Sequence, residues 1–161
     1  MQCRFWRALA ASGVVVALLA TGPADAQETD TGLSNILQTA ENEALGTYLV
    51  TAGGHPIYIF SADQPRSAGA EAESRCEGAC LKDWPPLIAD AGAVASPDIN
   101  PELISKAERQ DGASQVLFAG RPVYVHAADA NAEAPAGHGR EAFGGVWQLV
   151  APDGTPIPPK G

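Results

Sequence analysis

Two histidines in the C-terminal half of the chain are candidate metal ligands. His126 and His138 lie twelve residues apart, with Asp129 and Glu133 between them. Imidazole and carboxylate groups together bind Cu(II) or Zn(II), so we consider a metal site at His126 and His138. This spacing is not diagnostic of a metal. The alternative is that His126 is a half-buried strand histidine and His138 a surface residue.

Two cysteines, Cys76 and Cys80, are separated by three residues, and the remaining cysteine, Cys3, lies near the N-terminus. If the segment carrying Cys3 is cleaved during export, an even number remains in an oxidising compartment, which favours an intramolecular disulfide. Such a short loop stabilises the fold by about 2 kcal/mol in the chain-entropy model. A redox-active dithiol is the alternative. The C-x3-C spacing and the neighbouring acidic Glu77 disfavour it.

An internal repeat organises the rest of the chain. Residues 53–63 align without gaps on residues 119–129, and Gly, Pro, Tyr, Ala and Asp recur in register. Each copy follows an apolar segment, 48–50 in the first and 115–118 in the second, after a short glycine-containing connection. This arrangement predicts two β-hairpins.

Side-chain alternation predicts what the repeated strands expose and bury, because residues two apart on a strand share a face. Tyr58 and Phe60 share one face of the first copy, and Tyr124 and His126 share the corresponding face of the second. Apolar β-branched residues occupy the opposite face. Both faces are therefore expected to be covered.

Asp63 and Asp129 follow the repeated strands directly. A carboxylate there can accept backbone N–H bonds in an Asx-turn, or a hydroxyl bond from a tyrosine of a neighbouring hairpin. We favour this structural role over a catalytic one. Trp84 and Trp147 could stack on a ligand, but core packing is the more ordinary role of such tryptophans.

Several motifs together resemble the bacterial secreted-repeat family, which is described as predicted lipoproteins of unknown function. Tyr58-x-Phe60-x-x-Asp63 is similar to the family's Y-x-[FWY]-x-x-D signature, and Cys76-x-Gly78-x-Cys80 followed by Trp84-Pro85-Pro86 is similar to its C-x-G-x-C and W-P-P element. Residues 109–112 and 144–154 are similar to its second half. In the second copy, His126 stands where the signature has an aromatic residue. The resemblance implies an exported repeat domain and no established activity.

The N-terminus has the features of a cleavable export signal. Arg4 and Arg7 precede an apolar run over residues 8–20, and Ala24-Asp25-Ala26 has the small residues that suit a signal peptidase. The apolar run is shorter than the roughly 20 residues of a membrane span. Cys3 precedes this run, so it is not the cysteine of a lipobox. We predict a signal peptide over residues 1–26 and a mature protein in the periplasm or secreted.

The acidic composition excludes two classes of partner. Cleavage removes two arginines and one aspartate, which takes the formal charge from −9 to −10. Without runs of Lys or Arg, the chain cannot gain the counterion-release energy that drives nucleic-acid binding, and an anionic membrane surface would repel it. We expect no nucleic-acid partner and no stable membrane insertion. The acidity is compatible with a basic partner or a cationic ligand, but we favour the simpler interpretation that it only keeps the exported protein soluble.

Glycine, proline and short apolar runs predict a mainly β fold, a small antiparallel sheet or barrel-like domain built from two hairpin repeats with one or two short helices. We assign residues 46–155 to this domain, with repeat 1 at about 46–90 and repeat 2 at about 110–155.

Three further segments complete the predicted organisation. An apolar stripe over residues 31–45 predicts a helix within an N-terminal helical segment, 27–45. Asn100 as N-cap with Pro101 after it predicts a helix over residues 101–109. The tail, 156–161, is expected to be flexible.

No catalytic motif occurs: there is no G-x-S-x-G elbow, phosphate-binding glycine loop or H-E-x-x-H. We therefore expect a non-enzymatic, exported binding or interaction domain without a cofactor, whose partner is an envelope protein or a small ligand. The alternative is a redox accessory that binds haem or copper non-covalently through His126, with Tyr124 and His138 as neighbouring candidates.

Overall fold

The computed structural model describes residues 36–89, 93–129 and 135–160. The predicted signal peptide, 1–26, lies outside the described residues, and so does the first part of the predicted helical segment, 27–35. The longest α-helix in the described ranges has four residues, so no described helix is long enough to cross a membrane.

The prediction of a mainly β fold is confirmed. In chain order the strands are β1 (Ile36–Asn42), β2 (Gly46–Thr51), β3 (Tyr58–Phe60), β4 (Val94–Ala95), β5 (Ile104–Glu108), β6 (Ser114–Phe118), β7 (Arg121–Pro122), β8 (Glu141–Ala142) and β9 (Gly145–Leu149). One α-helix, α1 (Cys80–Asp83), and a 3₁₀ helix, Pro101–Leu103, are the helical elements of the described residues. The described strands form three small sheets, ordered β2-β1-β4, β3-β9-β8 and β5-β6-β7, and do not close into a barrel.

Each repeat begins with a pair of antiparallel strands. In the first, β1 pairs antiparallel with β2 and aligns Leu37 with Thr51. In the second, β5 pairs antiparallel with β6 and aligns Ile104 with Phe118. A third strand joins each pair: β4 pairs in parallel with β1, and β7 pairs antiparallel with β6.

Each repeat continues from its second strand into a tight turn, as the sequence predicts. Val50 bridges Pro56 in the first copy and Leu117 pairs with Pro122 in the second. The glycine two residues before the proline of each turn has a positive φ, which is 80° at Gly54 in the first copy and 76° at Gly120 in the second. Glycine adopts this conformation without the steric penalty of a Cβ. The first hairpin is short, because β3 leaves β2 and pairs with β9 instead.

The C-terminal tail forms a third, unpredicted copy of this turn. Val150 bridges Pro156, and the Ile157 N–H donates to the Leu149 carbonyl at 2.9 Å. The equivalent bond in the first copy runs from Ile57 to Leu49, also at 2.9 Å. The tail that was predicted to be flexible, 156–161, therefore begins in a hydrogen-bonded turn, because Gly154-x-Pro156 repeats the Gly-x-Pro pattern of the other two turns.

The core has two parts, one on each face of the repeated strands. Ile57 and Ile59 belong to an aliphatic cluster with Leu37, whereas Tyr58 and Phe60 belong to an aromatic cluster. All four of these β3-region side chains are at most 3 % exposed. The expectation that both faces are covered is confirmed.

The helix prediction over residues 31–45 is wrong where the structure can test it, because Ile36–Asn42 is a strand. A helix of this length is marginal in water, whereas β1 gains a full antiparallel ladder with β2 and buries Leu37 completely. The β domain therefore includes residues before 46.

The second helix prediction, 101–109, holds for one turn. The Asn100 side chain accepts the Glu102 N–H at 3.0 Å, as an N-cap does, and Pro101 follows it. The helix ends at Leu103, because the next residues pair with β6 as strand β5. Pairing with the next strand of the chain overrides the local helical signal there.

Candidate functional site

The two signature tyrosines meet at the centre of the domain. The Tyr58 N–H donates to the Tyr124 carbonyl at 2.8 Å, and the Tyr124 N–H donates to the Tyr58 carbonyl at 2.9 Å. Both side chains are fully buried. This reciprocal bridge relates the two repeats approximately as a two-fold axis would.

The tyrosines and aspartates of the signature are exchanged between repeats. The Tyr58 hydroxyl donates to Asp129 Oδ2 of the second repeat, and the Tyr124 hydroxyl donates to Asp63 Oδ2 of the first at 2.8 Å. Each aspartate also accepts a backbone N–H. Burial is the main reason that the pKa of both tyrosines is raised, so both hydroxyls keep their protons and act as donors.

Four rings form a continuous stack between the repeats. The Phe60 and Trp147 centroids are 4.3 Å apart, and those of Trp147 and Trp84 are 3.8 Å apart with planes at 2°. The His126 centroid is 4.3 Å from that of Trp84, with the two planes tilted by 34°. Phe60 and His126 occupy equivalent positions at opposite ends of the stack. Tyr58 packs edge-on against Trp84. The structure thus places both tryptophans in the core.

Asp63 has a more polar and more exposed setting than Asp129. Its Oδ1 accepts the Arg75 N–H at 2.7 Å. Burial raises the pKa of Asp63 to about 6, and its hydrogen bonds to the Arg75 N–H and the Tyr124 hydroxyl lower it only in part. The Tyr124 hydroxyl is also 2.7 Å from Ser74 Oγ.

The hydrogen bonds that join Asp63, Tyr124 and Ser74 form a first network. A buried arginine, which sequence reasoning did not assign to the site, supports this network. Arg109 is 8 % exposed, and its guanidinium donates to Ser74 Oγ and to Gln115 Oε1, each at 2.7 Å. It also donates to the Cys76 carbonyl at 3.0 Å and pairs with Asp111. The available sequence signal was the Arg-x-Asp-Gly motif at 109–112.

The second network contains His126. Its Nδ1 is 3.4 Å from Asp129 Oδ1, which also accepts the Ala136 N–H at 2.9 Å. Its Nε2 is 3.4 Å from Nη1 of Arg140. With Arg140 donating to Nε2, the contacts fit the tautomer that carries its proton on Nδ1. The His126–Asp129 pair therefore orients the ring within the core.

A sequence model of the family described as a secreted repeat of unknown function matches residues 39–88 and 105–151. The chain belongs to this secreted-repeat family. Each match contains one signature tyrosine and one tryptophan of the stack. The two matched segments are therefore the two repeats between which the tyrosine–aspartate bonds run. The chain matches no curated protein and no solved structure.

Cys76 and Cys80 of this secreted repeat form the predicted disulfide, with their Cα atoms 5.3 Å apart. They are 0 % and 2 % exposed. Cys80 begins α1, and its carbonyl accepts the Trp84 N–H at 2.8 Å. The disulfide therefore closes the loop directly before Trp84 and helps to hold this residue in the stack.

The corresponding loop of the second repeat has no disulfide and is held by close packing. A Cβ added to Gly137 would lie 2.7 Å from Trp84 Cη2 and 2.9 Å from Tyr58 Cζ. The Gly137 N–H also donates to the Tyr58 hydroxyl at 3.3 Å. Only a residue without a side chain lets this loop lie against the two rings.

The structure gives other hydrogen-bond partners to His138 and Tyr124, two of the candidate ligands for metal or haem. His138 Nδ1 accepts the Leu149 N–H at 3.2 Å, and burial lowers the pKa of His138. The Tyr124 hydroxyl belongs to the Asp63 network instead of the His126 network. Among the described residues, no three or more His, Cys, Asp or Glu side chains are grouped so that they could hold a metal ion.

Proposed function

We propose that this secreted repeat is a non-enzymatic binding or interaction domain that works in the periplasm. The observation that carries the proposal is the exchange of Tyr58–Asp129 and Tyr124–Asp63 between the repeats. A general acid or base must reach a substrate proton. These groups are instead occupied with one another in the core, which supports a scaffolding role for the signature.

Affinity in such a domain would come from its surface. Loops and hairpin tips on a rigid scaffold commonly carry binding residues. The stacked rings, the disulfide and the exchanged hydrogen bonds together make the scaffold rigid. The acidic charge supports a partner with a basic surface, because opposite potentials accelerate encounter and suppress wrong partners.

The test is crosslinking in intact cells with a tagged copy of the full chain, followed by identification of the adducts. The control is an unrelated exported protein of similar size and acidity. Enrichment of a specific envelope protein over this control is the expected result. The proposal would be contradicted if crosslinking gave no specific protein adduct and native mass spectrometry of the purified chain showed no bound small molecule.

A redox accessory that binds haem or copper through His126 is the second hypothesis. It is supported by the His126–Asp129 contact, because histidine ligands commonly donate their second ring nitrogen to a carboxylate. Titration with haem and with Cu(II) tests it. His126→Phe is a matched variant, because Phe60 occupies the equivalent position of the first repeat. Stoichiometric uptake that this variant loses would favour the redox role.

A further inference from the structure

The tip of the β8–β9 hairpin carries an aromatic residue that folding alone does not explain. Phe143 is 45 % exposed and has a φ of +55°, and Gly144 after it has a φ of +86°. Two positive φ values in a two-residue turn favour Asn, Asp or Gly. A bulky side chain in this conformation is destabilising, and much of the ring gains no burial in return.

The hairpin that presents Phe143 is held firmly against the first repeat. A Cβ on Gly145 would lie 2.6 Å from Phe60 Cε2, so the backbone packs directly on the end of the ring stack. The Val146 N–H donates to Ser61 Oγ at 2.7 Å, and the Ser61 N–H donates to the Val146 carbonyl at 3.0 Å. The tip is therefore pre-organised, which lowers the entropic cost of binding.

A shallow groove of about 400 Å³ adjoins the tip. It is lined by Glu141, Ala142, Gly144, Gly145 and Val146. Glu141 is the charged residue in this lining, and Arg140 before it directs its guanidinium towards His126. An exposed aromatic ring at the tip, with a carboxylate in the adjoining groove, suits an apolar side chain that is flanked by Lys or Arg.

We propose that Phe143 and the adjoining groove form the docking surface for a basic protein partner, a proposal that rests on the binding function above. Charge selects this occupant. The cleaved chain carries a formal charge of −10, and a two-fold contact between two copies through this groove would bring two Glu141 carboxylates together. A basic partner gains from both the ring and the carboxylate.

The test places the photocrosslinker p-benzoylphenylalanine at position 143 of the full chain in intact cells. The same crosslinker at Val94, an exposed apolar residue elsewhere, is the matched control. The expected result is an adduct at 143, absent at 94, with a partner whose surface is basic. With the purified partner, Phe143→Asn should weaken binding at least about tenfold, as for an interface hot spot. Glu141→Gln should weaken it less and reduce its salt dependence.

Phe143→Asn also keeps the test independent of folding, because asparagine suits this turn and the variant should be at least as stable as the parent. Adducts with a second copy, with residues 1–35 of the same chain or with an acidic protein would overturn the proposal. Unchanged partner binding by the stable variant would do the same. If crosslinking elsewhere on the chain still finds a partner, only the assignment of the surface fails. If no position finds one and native mass spectrometry shows no bound small molecule, the binding function fails with it.

Discussion

The Tyr58–Asp129 bond should be among the strongest single contacts between the repeats. The Asp129 side chain is 0 % exposed, so water cannot replace the tyrosine hydroxyl if it is removed. A hydrogen bond to a charged group contributes about 1.5–3 kcal/mol, and complete burial puts this one at the upper end. Tyr58→Phe, which keeps the ring, should therefore lower the free energy of unfolding by about 2–3 kcal/mol. For a domain of this size, the midpoint temperature should fall by roughly 10 °C.

Tyr124→Phe is the matched control, because it removes the equivalent hydroxyl beside the partly exposed Asp63. Asp63 keeps the Arg75 N–H and can recruit water, so the cost should be about 1 kcal/mol smaller. Urea unfolding followed by tryptophan fluorescence gives both values. A double-mutant cycle of Tyr58→Phe with Asp129→Asn isolates the pairwise term, which should be at least about 1 kcal/mol. A coupling near zero, or an equal cost for both tyrosines, would refute the reasoning.

Two further predictions concern pH and packing. Because the pKa of folded Asp63 is raised to about 6, folding takes up a proton between that value and the ordinary value of 3.8, and Asp63 stabilises the fold as pH falls. From pH 7 to pH 5 the parent should gain about 1 kcal/mol relative to Asp63→Asn. His138 has the opposite effect, because its lowered pKa makes the fold less stable as pH falls. Both proteins contain His138, so its contribution drops out of the comparison between them. Equal pH profiles for the two proteins would contradict the assignment. Gly137→Ala should destabilise by about 1–3 kcal/mol through overlap with Trp84 and Tyr58, with a changed near-ultraviolet circular dichroism spectrum, and an unchanged spectrum and stability would show that the loop can move aside.

Local patterns in the sequence predicted the features that depend on neighbouring residues. The Gly-x-Pro turns, the alternation that buries both Tyr58 and Ile59, and the pairing of Cys76 with Cys80 all follow from short-range spacing. Alternation assigns a side chain to a face whatever the strand later pairs with. The same rules failed at residues 36–42 and 104–108, where helical signals yielded to strand pairing.

The sequence by itself determined the repeat, the mainly β class, the acidic surface and the face on which each signature residue lies. Only the tertiary structure decided that Tyr58 bonds Asp129 across 71 residues, that Trp84 stacks on Trp147, and that Arg109 is buried beneath the first network. The reason is that a hairpin satisfies its local backbone hydrogen bonds whether its tyrosine bonds to an aspartate of its own repeat or of the other repeat. The choice of partner instead depends on how two similar hairpins pack against each other, and that packing is set by contacts distant in the chain.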